Sequence, residues 1–332
     1  MQNATVTAVL ATLGLALTLI ADDRPAAQAP GSHEVTKATV DVWMTELSNW
    51  GRWGKDDQRG TLNLLTPGRS RTALALAKDG VSVSLSHAYI EQRAEDNPSP
   101  FGHEMLGVGG PGAFVSDRFT IAYHGYTHSH MDALCHMAYE GRMYNGIPRS
   151  AVTAEGCARL AITTFKQGIV GRAVLMDIAR LKGLNYLEPG TPIYVEDLEA
   201  WERQSRTRVG AGDIVLIRTG RWARRAELGA WATGRGSAGL HVSVVPWLKR
   251  RDVAMLGSDY ANDVLPSLVD GVTLPVHQLT LVALGMPLFD NLDLDAVAEQ
   301  AARRKRWAFL LTAAPLAVET ATGSPLNPLA IF

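Results

Sequence analysis

Four of the nine histidines lie within thirteen residues, His124-Gly125-Tyr126-Thr127-His128-Ser129-His130-Met131-Asp132-Ala133-Leu134-Cys135-His136. Even scattering would put fewer than one there. Side chains alternate along an extended chain. A strand from Phe119 to Asp132 therefore carries Phe119, Ile121 and Tyr123 on one face and His124, Tyr126, His128, His130 and Asp132 on the other. Neutral imidazoles with a carboxylate and no thiolate suit zinc, manganese or iron(II), and such a set with open positions suits catalysis rather than structure. A buried imidazole row without a cation would carry unpaired polar groups.

Spacing limits which of these can share one ion. At about 3.3 Å per residue, His128 and Asp132 lie about 13 Å apart in a straight strand, near the limit two side chains can span. His124 would be about 20 Å from His130 and joins only if the chain bends, with Gly125 as a candidate bulge. His124 and His128 both stay open as the third ligand beside His130 and Asp132.

The surrounding elements read as strands interleaved with helices. Val40, Trp43, Met44 and Leu47 have helical spacing and lead into the aromatic loop Asn49-Trp50-Gly51-Arg52-Trp53-Gly54. Thr66-Pro67-Gly68-Arg69 opens a second helix with Gly80 as its stop. Val81–Leu85 alternates as a strand, and the β-rich runs Gly171–Asp177 and Asp213–Gly220 read as buried strands. Helical stretches cover Val195–Gln204, Ser243–Lys249 and Leu294–Arg304. This pattern predicts one α/β domain without a Pro/Gly/Ser linker.

Composition excludes several classes. The chain has 332 residues, 46% of them hydrophobic and 20% charged, which is the globular range. Lys+Arg 32 against Asp+Glu 33 leaves no basic field for nucleic acid. Cys135 and Cys157 alone make neither a disulfide framework nor a thiolate zinc site. Ala4–Ala21 is an uncharged, mostly apolar run, followed by Ala27-Gln28-Ala29 in an A-x-A pattern. Residues 1–29 are therefore expected to be a cleaved signal peptide and the protein to be exported, periplasmic or secreted. An uncleaved membrane anchor, or a mis-assigned start that leaves the protein cytoplasmic, are the alternatives. A helical and aromatic extension over residues 30–80 then precedes the catalytic domain at 81–332.

With these residues in view, the sequence resembles the cyclase family of metal-dependent hydrolases, of the kynurenine formamidase and isatin hydrolase kind. The family signature His-x-Gly-Thr-His-x-Asp-x-Pro-x-His is matched in its second half by Ser129-His130-Met131-Asp132-Ala133-Leu134-Cys135-His136. Tyr126 stands where the first signature histidine belongs, His128 at the Gly position and Leu134 at the Pro position. The resemblance spans roughly residues 40–325 and includes Arg59-Gly60-Thr61-Leu62-Asn63 and Ser84-Leu85-Ser86-His87. It implies His130 and Asp132 as metal ligands, either His124 or His128 as the third, and His136 beside the reacting carbonyl. His277 followed by Asp290-Asn291-Leu292 resembles a segment that completes a second metal site in some members, with Asp290 in place of a Glu. The resemblance also implies a swivelling β/β/α architecture, a divalent manganese or zinc ion, a small carbonyl substrate and a homo-oligomer.

The expected chemistry is metal-assisted hydrolysis of an amide, formamide, cyclic amide or lactone, with His136 as proton acceptor and His277 as its assistant or a ligand. No Gly-x-Ser-x-Gly elbow is present to support a serine hydrolase. Gly107–Gly112 lacks the residues of a phosphate loop. Two other classes fit the same residues: a lyase or cyclase that stabilises an enolate, and an exported metal-binding protein without catalysis. His103, His241, Asp259, Trp50, Trp53 and Phe101 are further pocket candidates, each with an ordinary structural reading beside it.

Overall fold

Runs of β-branched and aliphatic residues buried on both faces build the centre of the molecule. The computed structural model describes Met1 and residues 33–332 except 111 and 113. The expected signal peptide lies outside the described residues. Nine strands form one mixed sheet: β1 (Ser82–Ser84), β2 (His130–Asp132), β3 (Ile169–Asp177), β4 (Ile214–Arg218), β5 (Met255–Ser258), β6 (Leu288–Asp290), β7 (Ala308–Ala313), β8 (Gly323–Pro325) and β9 (Leu329–Ile331). Their order is β1-β9-β7-β3-β4-β5-β6-β2-β8.

The four central strands β3 to β6 run parallel, and the flanking pairs are antiparallel. Parallel strands need crossovers. These are supplied by helices Val195–Ser205, Arg221–Leu228, Val245–Arg250 and Pro275–Gln278. Trp201 and Trp247 are the largest fully buried side chains, and the Trp201 indole donates to Leu175 O at 2.8 Å, fixing one crossover helix to β3. The result is the α/β fold expected from the alternation of strand and helix patterns.

The N-terminal helices belong to the same compact unit, Glu34–Phe332. Helix Lys37–Glu46 is capped by Thr36, whose hydroxyl accepts from Thr39 N. Beyond it, Asn49 Nδ2 donates to Leu284 O and Trp50 Nε1 to Val282 O, which anchors the aromatic loop on the helical segment Leu279–Leu284.

One expectation needs correction. The strand from Phe119 to Asp132 is not continuous. Ser116–Thr120 pairs with Gly102–Leu106 in a separate hairpin, residues 121–129 have no regular structure, and only His130–Asp132 enters the sheet. A straight strand would hold the histidines too far apart, and the irregular segment removes that constraint. The two cysteines, which make no framework, nevertheless pair: Cys135 is bonded to Cys157 across 22 residues.

Candidate metal centre

The short strand β2 places the first two groups of the site. His130 and Asp132 face the same way while Met131 points into the core. In the antiparallel register His130 lies opposite Asp290 on β6, so a third polar residue joins from the neighbouring strand. Asp290 ends a parallel strand, and Asp263 follows β5, at the carboxyl edge where α/β sheets build sites.

His124 reaches this edge from the irregular segment. Its Nδ1 lies 3.1 Å from Asp132 Oδ1, and His130 Nε2 lies 3.4 Å from the same oxygen. Two donors bound tetrahedrally at about 2.1 Å are about 3.4 Å apart, so these spacings suit one cation. A second triad shares the aspartate. His277 Nε2 is 3.1 Å from Asp290 Oδ2 and 3.8 Å from Asp132 Oδ2. Both groups of three have ligand atoms within 4.8 Å of one another.

His124 Nδ1 and both Asp132 carboxylate oxygens are buried without a hydrogen-bond partner. Leaving such groups unpaired is costly; a cation between His124, His130 and Asp132 would satisfy His124 Nδ1 and Asp132 Oδ1, while Oδ2 faces His277 and the second triad. The charge balance agrees. Burial works against the His277 imidazolium, but Asp290 and Asp263 outweigh it and hold its pKa well above the usual value. Burial likewise opposes ionised Asp132, yet His136, His124 and His130 hold its carboxyl well below the usual range. The cluster is built to contain positive charge.

The outer ring nitrogens are all engaged. His124 Nε2 meets Thr322 Oγ1 at 2.9 Å, His130 Nδ1 meets His128 O at 2.8 Å, and His277 Nδ1 meets Asp263 Oδ2 at 2.6 Å. Such partners fix each ring and leave the inner nitrogen facing the centre. Asn262 Nδ2 donates to Asp290 Oδ1 at 2.6 Å, leaving Oδ2 for His277. Asn291, in a left-handed conformation, donates to Gly125 O at 2.8 Å and ties down the segment carrying His124.

Of the two open candidates for the third position, the structure brings in His124. His128 turns away, edge-on to Tyr89 at 5.5 Å, and its carbonyl meets His130 Nδ1 and accepts from Asn291 Nδ2. His136 stands beside the centre, with Nε2 3.9 Å from Asp132 Oδ2. Burial pulls its pKa below the usual histidine value, against the pull of Asp132. The His124 and His136 side chains keep 27% and 28% exposure while His130, Asp132, His277 and Asp290 are buried, so the approach is from the His124–His136 side.

The remaining candidates have structural places. Asp259 accepts from Thr219 N, Gly220 N and Arg221 N at the start of helix Arg221–Leu228, and burial pushes its carboxyl up to about 6. His103 pairs with Asp117 on the exposed hairpin, and His241 bonds Ser243. Phe101 stacks on Tyr89, whereas Trp50 binds Val282 O and Arg52 covers Trp53, so no ring contact among the described residues joins the three into one wall. Asp263, Asn262 and Thr322 escape a sequence reading because each is an ordinary polar residue far along the chain, whereas Asn291 stands in the Asp290-Asn291-Leu292 segment that the family resemblance marks. For those three, the position of Asp263 just beyond a buried strand is the one signal.

The family model described as "Putative cyclase" matches residues 32–262. The chain belongs to this family. A crystal structure described as a novel cyclase superposes with a TM-score of 0.80 at 32% identity, covering 87% of this chain and 99% of that one. Isatin hydrolase A from Ralstonia solanacearum gives a TM-score of 0.52 at 24% identity, over 78% of this chain and 95% of its own. An isatin hydrolase bound to the product analogue thioisatinate gives 0.53 at 19% identity, over 80% and 99%. The isatin hydrolases show a shared fold. No curated protein matches.

Proposed function

We propose that the protein is a metal-dependent hydrolase that cleaves an amide, formamide, cyclic amide or lactone bond in a small carbonyl substrate. The observation that carries this reading is the pair of buried, unpartnered atoms His124 Nδ1 and Asp132 Oδ1, 3.1 Å apart beside His130, with the unpartnered Asp132 Oδ2 turned to His277 in the second triad. His124, His130 and Asp132 would hold a divalent ion, which would supply Lewis-acid polarisation of a carbonyl and lower the pKa of a bound water. Manganese and zinc both suit this donor set. The isatin hydrolases, similar in fold, are named for the hydrolysis of a cyclic aryl amide.

The chain's own groups then divide the work. Burial lowers the His136 pKa and favours its neutral ring, which accepts the proton of an attacking water and returns it to the leaving nitrogen or oxygen. Thr322, the His128 carbonyl and Asp263 hold the three ligand rings in place. His277, enclosed by Asp263, Asp290 and Asp132, is better placed to bind a second cation than to shuttle protons. Export is part of the same proposal, and the Cys135–Cys157 bridge supports it because disulfides persist in oxidising compartments. So is a homo-oligomer, which sedimentation of the purified chain would test.

Chelation is expected to abolish hydrolysis of an aryl formamide or cyclic amide, and added manganese or zinc to restore it. His136→Ala is expected to retain the metal and lose turnover. Hydrolysis that survives both treatments overturns the proposal.

A further inference from the structure

A second cleft, sharing no strand or loop with the metal centre, collects cations at the ends of two helices. It has a volume of about 730 Å³ and is lined by Lys78, Arg172, Arg206, Arg208, Lys305 and Arg306, with no carboxylate in its lining. The whole chain has a net charge of −1, so six cations around one concavity are a local concentration. Asp213 pairs with Arg172 at 2.5 Å, and Asp79 with Arg306 at 3.0 Å and Arg304 at 2.8 Å. Lys78, Arg206, Arg208 and Lys305 form no ion pair among the described residues. Arg306 Nε is buried without an acceptor.

The backbone carries an independent sign. Helices Val195–Ser205 and Asp295–Arg304 both end at this cleft, and their C-caps, Arg206 (φ 53) and Lys305 (φ 51), are left-handed. Glycine or asparagine normally fills that position, since a larger side chain is strained there. Helix dipoles favour a nearby cation, but less than the left-handed conformation costs, and they do not account for Arg172 on β3 or for Arg208. Two strained caps have each placed a cation at the mouth of a cleft already lined by four others.

We propose that this cleft binds a small, multiply charged anion, of the polyphosphate or polycarboxylate class, at a site separate from the metal centre. Its volume lies in the range of small-ligand sites, roughly 300–1,000 Å³. Clustered guanidinium groups are suited to bidentate contacts with phosphate or carboxylate.

Calorimetric titration of the full chain with tripolyphosphate, and separately with citrate, at fixed ionic strength tests this. It is run on the metal-loaded protein and in parallel after metal removal, because both anions chelate divalent ions, and only binding seen in both forms is counted. Saturable binding by at least one anion is expected, with affinity at least tenfold weaker in Arg206→Gly/Lys305→Gly. Glycine suits both left-handed positions, so the melting temperature of the ligand-free variant is expected to hold or rise. Arg208→Gln, outside those caps, is expected to weaken binding by about threefold, as loss of one charged contact implies. No binding of either anion, or equal affinity in all three proteins, overturns the proposal. Equal affinity would place the anion at the metal centre. Binding to phosphatidylserine vesicles without binding to the soluble anions also overturns it.

Discussion

His124 and His136 stack face to face, with ring centroids 3.9 Å apart and planes within 8° of parallel. One ring faces Asp132 through Nδ1 and is the proposed ligand; the other approaches the same carboxylate through Nε2. The stack fixes His136 against the centre without a hydrogen bond to it, so its nitrogens stay available to substrate. Two protonated imidazoles at this distance would repel, and the His124 charge is among the influences that lower the His136 pKa.

Burial, with a smaller contribution from the His124 charge, lowers the His136 pKa and sets a pH dependence. A lowered histidine pKa means the neutral, proton-accepting ring survives to more acidic pH than usual. The acid limb of kcat/KM is therefore expected below pH 6.5, the unperturbed value, with activity lost only as pH falls through the lowered value. A pH–rate profile of wild type checks this, and an acid limb above 6.5 contradicts it.

Gly323 on β8 leaves room for the proposed ligand. A Cβ there would lie 2.5 Å from Met131 O and 3.0 Å from His124 Cε1, so backbone and ring would both have to move. Gly323→Ala is expected to weaken metal affinity at least tenfold, in the range found when a ligand's support is disturbed, while leaving the far end of the sheet intact. Competition titration with a metal-sensitive dye measures it.

Asp263 orients His277 and also accepts from the backbone of Val276 and His277. Asp263→Asn keeps an acceptor for the helix start but removes the charge beside the ring. A loss of about 10- to 100-fold in activity or metal affinity is expected, with little change in melting temperature. Parallel assay and thermal denaturation distinguish this from simple unfolding, which would lower both together.

Much of this site was legible because chemistry and spacing coincide on a short stretch. His130 and Asp132 follow from alternation and from the family signature, and His136 from the signature alone. The choice between His124 and His128 was not legible, since it depends on where the chain leaves the sheet. That departure is held by Asn291, more than 150 residues away. Buried strands such as Ile214–Arg218 announce themselves by continuous apolar runs, whereas the three-residue strands β2, β6 and β8 are too short to carry a pattern. The orienting groups Thr322 and Asp263 reach the site through tertiary contact alone.

The Cys135–Cys157 bond lies next to His136 and closes a loop of 22 residues. A crosslink of that length stabilises by about 3 kcal/mol in the chain-entropy view. Cys135→Ser/Cys157→Ser is expected to lower stability by about that amount and to reduce turnover, because the segment bearing His136 loses its tether. Denaturant unfolding of the oxidised protein and the variant compares them directly, and equal stability would show the bond to be passive.

The most direct measurement is anomalous diffraction from crystals grown with manganese or zinc, recorded at the metal's absorption edge. A peak is expected within about 2.0–2.3 Å of His124 Nδ1, His130 Nε2 and an Asp132 oxygen, with His128 outside coordination distance. A protein that stays metal-free at millimolar ion, or a peak away from Asp132, contradicts it.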